Sequence, residues 1–575
     1  MPHLASADWK PLAAWRLKTA LTTADLSLLD LSVMNATPKI PHPVNEPVLS
    51  YAPGAAERLE LKRALKDLSA RQIEIPLIVG GEEVRTGTTV EAVMPHCYRH
   101  VLARVHQAAP REVQAAIAAA REAWRDWSTW SLERRAAVFL KAADLLATRY
   151  RPIVNAATML GQSKTAHQAE IDAACELIDF FRFNGHFAER LYAEQPISAS
   201  GSWNYLDYRP LEGFVYAITP FNFTSIGGNL PTSPAIMGNT VVWKPASASV
   251  LSNYFIMKLL EEAGLPPGVI NFVPGPATRV SETLLADRTL AGIHFTGSTE
   301  VFQALWKRVG ENLAGYAGYP RLVGETGGKD FIIAHASADV DALATAIVRG
   351  AYEYQGQKCS AASRAYVPGA LWPRVRQRVL DMLAEVKMGD PADFRNFMGA
   401  VIDRKAFDKI RGYIDAAKRA SGVKVLYGGG ADDTDGYFIE PTVLEVQDPA
   451  YRTMCEEIFG PVLTVHAYPA THWVETLRLV DQTSPYALTG AVFAQDRGAV
   501  AQAQEALRYA AGNFYVNDKP TGAEVGQQPF GGARASGTND KAGSLLNLVR
   551  WASPRAVKEN FIPPRSFGYP FMAEA

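Results

Sequence analysis

The sequence predicts an α/β protein with more than one domain. Its 575 residues exceed what one hydrophobic core usually organises, so we expect the chain to divide. Short apolar runs at residues 213–218, 240–244 and 269–273 are interleaved with helical patterns such as residues 250–263. Strands separated by helices of that length indicate parallel βαβ units. A second region of the same kind opens at residues 329–333.

Composition limits the classes of function. The chain is 48% hydrophobic and 20% charged, as ordinary globular proteins are. A net charge of −1 gives no sign of a nucleic-acid partner or an anionic membrane surface. No apolar stretch approaches the roughly 18 residues of a membrane span. We therefore expect a small-molecule ligand, with no nucleic acid and no membrane as partner.

The four cysteines are Cys97, Cys175, Cys359 and Cys455. They show neither the paired spacing of a metal site nor the density of a disulfide scaffold. We expect a reducing compartment and no metal.

The start of the chain has two interpretations. Residues 9–18 have the basic, amphipathic pattern of an organelle transit peptide, whereas Asp8, Asp25 and Asp30 argue against one. Met34 is an alternative start, followed by a proline-rich stretch that we expect to be an extended arm.

From about residue 59 to residue 192 the pattern is mainly helical, interrupted by a β-like run at residues 73–79. The clearest helix opens at Pro110, since proline suits the first helical turn; its apolar stripe is Val113, Ile117, Ala120 and Trp124. Residues 200–213 alternate aromatic and polar side chains, as a β-hairpin or flap does.

Farther along, Ser337 is the expected N-cap of a helix that reaches Tyr352. The glycine- and aspartate-rich residues 428–433 indicate a surface turn, and residues 566–575 indicate a tail that packs on a partner.

Two residues suggest covalent catalysis. Cys359 lies in the turn Gly-Gln-Lys-Cys-Ser, and Glu325 opens Glu-Thr-Gly-Gly-Lys, 34 residues earlier (359 − 325). A thiolate attacks carbonyl carbons, and a carboxylate can draw a proton from the water that hydrolyses the thioester. Most free cysteines are inert core residues and most glutamates are solvated, so each residue alone is a weak signal. The pair predicts a nucleophile and its base.

This pair and its flanking residues resemble the aldehyde dehydrogenase superfamily, over about residues 70–559. The resemblance implies that Asn222 forms an oxyanion hole with the backbone N–H of Cys359. It also implies an NAD site that lacks the G-x-G-x-x-G fingerprint, as this chain does. The cofactor-binding residues implied are Thr219, Lys244, Gly297, Ser298, Glu457 and Phe459.

Ser247 stands where many NAD-preferring members carry a glutamate that repels a 2′-phosphate, so NAD is the expected cofactor and NADP remains possible. From the sequence, residues 295–298 are expected to offer backbone N–H groups and a hydroxyl to a pyrophosphate.

Long matches at residues 221–229 and 512–540 resemble the 1-pyrroline-5-carboxylate dehydrogenases within this superfamily. The implied activity is NAD-dependent oxidation of L-glutamate γ-semialdehyde to L-glutamate in proline catabolism, through a cysteine thioester. The carboxylate and ammonium of that substrate need polar partners remote from the aldehyde. Its implied anchors are Ser360 and the N–H groups of Gly522 and Ala523, while Phe223 and Phe530 wall its aliphatic part. Animal members have serine where Ala523 stands.

The resemblance implies an aldehyde dehydrogenase fold: a Rossmann-like NAD-binding domain, an α/β catalytic domain and a small β-flap oligomerisation element. The expected divisions are an N-terminal extension and arm (1–58), an NAD-binding domain (59–192 and 214–322), a catalytic domain (323–512), and a flap, anchor loop and C-terminal segment (193–213 and 513–575). It further implies a homodimer or higher homo-oligomer, in the cytoplasm or alternatively the mitochondrial matrix.

Several alternatives remain at this point. A dehydrogenase of another aldehyde, such as succinate semialdehyde, would use the same nucleophile and base. A non-catalytic scaffold would be expected to have lost Cys359, Glu325 or Asn222, and all three are present. A cysteine acyltransferase would need a histidine base. A bifunctional protein with a proline-oxidising barrel is not expected, because no segment is left over for one.

Overall fold

The computed structural model describes residue 36 and residues 38–573. The transit-like residues 9–18 and the alternative start at Met34 lie outside the described residues. Every element below belongs to one compact unit, residues 40–575. In the described part of the chain, no helix is long and apolar enough to span a membrane.

The helices, in chain order, are α1 (Ala56–Ser69), α2 (Pro110–Trp127), α3 (Leu132–Leu145), α4 (Arg151–Gln162), α5 (Ala166–Ala169), α6 (Leu177–Ala193), α7 (Thr224–Ile236), α8 (Val250–Ala263), α9 (Ala277–Ala286), α10 (Thr299–Glu311), α11 (Val340–Tyr352), α12 (Trp372–Glu385), α13 (Arg404–Arg419), α14 (Arg452–Cys455), α15 (Trp473–Gln482), α16 (Arg497–Ala506) and α17 (Leu545–Leu548). Two π-helical stretches, Leu146–Tyr150 and Glu170–Glu176, precede α4 and α6.

The strands are β1 (Ile73–Ile75), β2 (Leu77–Val79), β3 (Glu82–Val84), β4 (Thr89–Met94), β5 (Cys97–His106), β6 (Ser202–Pro210), β7 (Phe214–Ile218), β8 (Thr240–Lys244), β9 (Ile270–Phe272), β10 (Leu290–Thr296), β11 (Arg321–Glu325), β12 (Asp330–Ala334), β13 (Ala362–Pro368), β14 (Val423–Tyr427), β15 (Ala431–Asp432), β16 (Phe438–Ile439), β17 (Thr442–Val446), β18 (Val462–Tyr468), β19 (Tyr486–Ala487), β20 (Thr489–Phe493), β21 (Asn513–Val516), β22 (Ala533–Arg534) and β23 (Ala552–Asn560).

The first large sheet has seven strands in the order β11-β10-β7-β8-β9-β2-β3. Strands β7 to β11 run parallel, and the order reverses between β7 and β10. Val215 and Ala217 join one buried cluster, whereas Phe214 and Tyr216 join another on the opposite face. The sequences of these strands are continuous apolar runs because both faces of the parallel sheet are covered.

The second large sheet has the order β14-β17-β18-β13-β12-β20-β21, and all its pairs are parallel except β14 with β17. Ile332 packs into one core, while Phe331 and Ile333 pack into another. Two doubly covered α/β sheets therefore confirm the predicted fold class. The expected domain boundaries stay a prediction.

Three local predictions need correction. Residues 200–213 form no hairpin, because β6 pairs antiparallel with β23, over 300 residues away, from Ser202↔Asn560 to Pro210↔Ala552. Residues 59–192 contain a β-hairpin, β4 and β5, in addition to the expected strand run. The first three residues of β4 are all exposed, so polar and apolar positions hardly alternate along it. The sequence pattern therefore did not predict this strand.

The N-cap of α11 is Asp339, whose side chain accepts the Ala342 N–H at 2.8 Å, and not Ser337. The Ser337 hydroxyl instead accepts the N–H groups of Gln495 and Asp496, both at 3.0 Å. It therefore fixes the loop after β20, a contact that local sequence does not reveal.

Candidate active site

Cys359 lies in a turn with unusual backbone geometry. Just before it, Tyr354, Gln355 and Gly356 all have positive φ, at 52°, 56° and 64°. A Cβ on Gly356 would lie 2.4 Å from the carbonyl oxygen of Gly460, so only glycine fits there. Non-glycine residues in this conformation are costly and concentrate at functional sites.

The side-chain amide of Gln355 holds the turn in this conformation. Gln355 donates to the carbonyl oxygens of Ser163 and Ala400, at 3.1 and 2.7 Å, and accepts the N–H of Gly399 at 3.0 Å. Because these bonds are buried, the turn keeps a conformation that its local sequence disfavours.

The structure brings Cys359 and Glu325 together. Sγ of Cys359, which is 7% exposed, lies 4.0 Å from Oε1 of Glu325 at the end of β11. Burial raises the pKa of the Glu325 carboxyl to about 8, partly offset by the Lys541 ammonium. Burial also raises the pKa of the Cys359 thiol, and the Glu325 carboxylate raises it further. Burial thus favours the neutral form of both groups, and the fraction of ionised carboxyl, which can act as a base, grows as the pH rises through about 8.

Asn222 lies beside the same turn, between β7 and α7. Its Nδ2 donates to the carbonyl oxygen of Gln357 at 3.0 Å, and its side chain is buried. This bond uses one of the two amide hydrogens and orients the other. The N–H of Cys359 donates to no other residue in the described part of the chain. Two donors beside the nucleophile are the requirement for an oxyanion hole.

A cavity of about 420 Å³ opens in front of the thiol. It contains all the residues proposed for the substrate, namely Phe223, Ser360, Gly522, Ala523 and Phe530. The Ser360 hydroxyl bonds the Thr521 hydroxyl at 2.8 Å, which joins the nucleophile turn to the loop of Gly522. Within the described part of the chain, the N–H groups of Gly522 and Ala523 have no acceptor, so they are free to bind an anion.

The cavity also contains acidic side chains that sequence analysis missed: Asp172, Glu176 and Asp179. Burial raises the pKa of Glu176 to about 8, with Asp172 adding to the effect. Burial likewise raises the pKa of Asp179 to about 6. Their i, i+4, i+7 spacing was the available signal, since it places three carboxyls on one helical face.

Lys164 was also missed. Its ammonium pairs with Asp172 at 2.6 Å, and both side chains are fully buried. The same ammonium lies 4.2 Å from the ring centroid of Phe223. This cation–π contact helps to fix the ring in the cavity wall. A buried lysine cannot be recognised from sequence, because its partner is fixed by the fold.

The predicted cofactor residues collect at the carboxyl ends of the first sheet. Thr219 follows β7, Lys244 ends β8, and Gly297 and Ser298 follow β10, on both sides of the reversal in strand order. Open α/β sheets bind ligands at such a switch point. The sheet therefore supplies a dinucleotide-type site without the usual glycine fingerprint.

The residues present fit a dinucleotide. Burial lowers the pKa of the Lys244 ammonium to about 8, and no carboxylate of the described chain counters this shift. Its amine therefore needs an external acceptor, which a ribose hydroxyl provides. Ser298 is the N-cap of α10, so the N-terminus of that helix faces the switch point.

The loop at residues 295–298 differs from the expectation in one respect. The N–H of Gly297 is already used, since it donates to the carbonyl oxygen of Glu325 at 3.2 Å. The Ser298 hydroxyl accepts the N–H of Val301 at 3.4 Å. Its own proton remains available, so Ser298 can still donate to a phosphate.

Glu457 and Phe459 lie in the loop between α14 and β18, a strand of the second sheet. Glu457 accepts the N–H of Gly328 at 2.9 Å, and a Cβ on Gly327 would lie 2.2 Å from the carboxylate. Phe459, with φ of 62°, packs edge-on against Phe221 at 5.8 Å. The Glu457 carboxylate is thus fixed close to the backbone that follows Glu325. Among the described residues, no group of three or more His, Cys, Asp or Glu side chains is arranged to hold a metal ion.

Comparison with known proteins agrees with this geometry. Delta-1-pyrroline-5-carboxylate dehydrogenase of Dictyostelium discoideum is 52% identical over 542 residues, covering 94% of this chain and 97% of the relative. The Homo sapiens protein of the same name is 50% identical over 529 residues, covering 92% and 94%. Both names specify a mitochondrial form.

Solved structures give the same result. Delta-pyrroline-5-carboxylate dehydrogenase from Mycobacterium tuberculosis, bound with NAD, is 54% identical and superimposes with a TM-score of 0.91, covering 94% of this chain and 100% of its own. The NAD-bound 1-pyrroline-5-carboxylate dehydrogenase from Thermus is 34% identical, with a TM-score of 0.84 and coverage of 92% and 100%. The model of the aldehyde dehydrogenase family matches residues 83–552. This chain therefore belongs to the aldehyde dehydrogenase family.

Proposed function

We propose that this protein oxidises L-glutamate γ-semialdehyde, the open form of 1-pyrroline-5-carboxylate, to L-glutamate with NAD, as part of proline catabolism. One observation carries the proposal: the cavity that holds the Cys359 thiol also holds two free backbone N–H groups, those of Gly522 and Ala523. The N–H groups suit the substrate's carboxylate, and the carboxyls of Glu176 and Asp179 in the same cavity suit its ammonium. The names of the relatives support the same substrate.

The first step is addition of the thiol to the aldehyde. Glu325, 4.0 Å from Sγ, accepts the thiol proton as the sulfur bonds the aldehyde carbon. The oxygen that gains charge receives the free amide hydrogen of Asn222 and the N–H of Cys359. Phe223 and Phe530 line the path of the aliphatic segment.

NAD, when bound, supplies the acceptor for the hydride that leaves the substrate carbon. Lys244, Ser298 and Glu457 would hold the dinucleotide, together with Thr219, Gly297 and Phe459. The oxidised product is then a thioester on Cys359. Glu325 releases the thiol proton to solvent and then draws a proton from water as the water oxygen attacks the thioester carbon. The sulfur leaves as the carboxylic acid forms, and it regains a proton from Glu325.

Ser247 bears on the choice of cofactor. It is exposed, three residues after Lys244, and presents no carboxylate to a 2′-phosphate. Nothing at this position repels NADP, and so we propose NAD as the main cofactor with slower use of NADP.

The same proposal includes a homodimer or larger homo-oligomer built on the β6–β23 ribbon. Trp203 on β6 is 53% exposed, and the segment after β23 exposes Phe561, Ile562, Phe567 and Phe571 at 60 to 89%. Apolar surface of this extent, on one ribbon and its extension, is typical of an interface. For the compartment, the cytoplasm and the mitochondrial matrix both remain in the proposal, and the relatives named mitochondrial favour the matrix.

The substrate is tested by initial rates of NADH formation with glutamate γ-semialdehyde, succinate semialdehyde and propanal. We expect the highest kcat/KM with the amino-acid aldehyde, because it alone places an ammonium near Glu176 and Asp179. Replacing NAD with NADP should lower but not abolish the rate. Equal kcat/KM values for the two semialdehydes would contradict the substrate assignment while leaving the dehydrogenase mechanism intact.

Cys359→Ala should remove turnover completely, because Cys175, the other cysteine that lines the cavity, is buried and its thiol faces Glu170 and Pro47 instead of the substrate. NAD binding, measured by quenching of tryptophan fluorescence, should persist. Cys97→Ala is the matched control, since that cysteine lies on β5, away from the cavity, and should keep the wild-type rate. Measurable steady-state oxidation by Cys359→Ala would exclude the covalent route.

Glu325→Gln should slow steady-state turnover about 10²- to 10⁴-fold, the usual contribution of a general base. In the wild type, thioester hydrolysis should accelerate as the pH rises through about 8, since the carboxyl ionises above its raised pKa. Stopped-flow NADH formation measured from pH 6 to pH 10 separates the burst from the later steps. The exposed Glu311→Gln on α10 is the control. A pH profile unchanged by Glu325→Gln would assign the base to another group.

Sedimentation velocity tests the oligomer. The wild-type mass should be a multiple of 62.6 kDa, and Trp203→Glu should shift the protein toward the monomer because it places charge in the interface. Trp306→Glu changes an equally exposed tryptophan on α10 and should leave the mass unchanged. A wild-type monomer at micromolar concentration would rule out this assembly.

A further inference from the structure

The chain before α1 is fastened to the substrate side of the protein. Residues 40–52, the N-terminal strap, have no helix or strand, yet polar contacts hold them at several points. The N–H of Leu49 and the hydroxyl of Tyr51 donate to Glu170 at 2.8 and 2.7 Å. Glu46 pairs with Arg182 at 2.7 Å. A segment without regular structure is fixed in this way only when the surrounding side chains determine its path.

Asn45 is the strap residue with contacts on two sides. Its Nδ2 donates to Oδ2 of Asp179 on α6 at 2.7 Å and to the carbonyl oxygen of Val525 at 2.9 Å. Its Oδ1 accepts from Nε2 of Gln527 at 3.0 Å. Both amide hydrogens and the carbonyl oxygen are therefore used, and two of the three bonds go to one loop.

That loop, residues 519–528, is the anchor loop, and it carries the free N–H groups of Gly522 and Ala523. It contains no strand or helix, so its position depends on its end contacts. Thr521 is fixed through the Ser360 hydroxyl at 2.8 Å. On the other side of the free N–H groups, Val525 and Gln527 are bonded to Asn45. The strap thus supplies hydrogen bonds to the loop on one side of the anion-binding residues, as Ser360 does on the other side.

The strap also forms part of the cavity wall. Asn45, Glu46 and Val48 line the same cavity as Cys359. These residues are more than 300 positions from Cys359 in the chain, and neither the family resemblance nor the names of the relatives assign them a role. Their place on the wall suggests a function beyond holding the fold together, which the buried Arg151–Glu170 pair already serves.

We propose that Asn45 is a positioning residue for substrate recognition: through Val525 and Gln527 it holds the anchor loop where the N–H groups of Gly522 and Ala523 meet the substrate's carboxylate. This inference rests on the proposed function. Asn45 acts through the anchor loop. Its removal therefore weakens recognition of the substrate's charged end, while the chemistry at Cys359 continues.

The test compares Asn45→Ala, Gln527→Ala and Glu189→Ala with the wild type. Glu189 is the control, because it accepts the Ile40 N–H at 3.1 Å and so fixes the strap at its far end, without touching the anchor loop. Asn45→Ala should raise KM for glutamate γ-semialdehyde about tenfold, as expected for losing hydrogen bonds that position a binding group. The kcat for this aldehyde, and KM for propanal, should change less than about twofold. Gln527→Ala should give a smaller change in the same direction, and Glu189→Ala none.

Hydrogen–deuterium exchange of the peptide spanning residues 519–528 provides a readout besides activity. Exchange should be faster in Asn45→Ala and Gln527→Ala than in the wild type, and unchanged in Glu189→Ala. If KM rises equally for both aldehydes, or if loop exchange stays at the wild-type rate, the positioning role is refuted. If the wild type itself shows no preference for the amino-acid aldehyde, the proposed function fails, and the exchange data still decide whether Asn45 holds the loop.

Discussion

The proposed active site depends on two acidic groups that lie next to each other in a buried, poorly solvated environment. The thiol of Cys359 and the carboxyl of Glu325 lie 4.0 Å apart, and burial disfavours the charged form of each. The Glu325 carboxylate further raises the pKa of the Cys359 thiol, so the two groups are not charged together near neutral pH. The ionised carboxyl can thus accept the thiol proton, release it to solvent, and later accept a proton from water, and the Lys541 ammonium limits how far its pKa rises.

The rest of the structure can be understood from that requirement. The proposed nucleophile, Cys359, must present its sulfur to Glu325 on β11, and the turn at residues 354–356 precedes it with three consecutive positive φ values. Gln355 stabilises the turn by bonding to the backbone of Ser163, Gly399 and Ala400. Strain at the nucleophile is therefore offset by buried hydrogen bonds from a different part of the chain.

Recognition of the substrate's polar end is assembled from separate segments. The π-helical stretch Glu170–Glu176 and the start of α6 contribute carboxyls, and the anchor loop contributes free N–H groups. π-Helical turns often occur at functional sites, because one extra residue per turn redirects the side chains. The N-terminal strap joins these two parts, since Asn45 bonds Asp179 on one side and Val525 on the other. A segment without helix or strand, fixed by polar contacts, thereby couples the two halves of the proposed recognition site.

The sequence by itself determined the fold class, the helix α2 and the strands β7, β8 and β12, because apolar periodicity and capping are local properties. It also pointed to Cys359 and Glu325 through short motifs whose neighbours are fixed in the chain, and to Asn222 through the family resemblance. Tertiary structure alone decided that β6 pairs with β23, that Asp339 caps α11, and that Lys164 is buried against Asp172. It also decided that Asn45 lies beside the anchor loop, 480 residues from Val525. These contacts join residues far apart in sequence, and their energy comes from burial and hydrogen-bond geometry that exist only once the chain has folded.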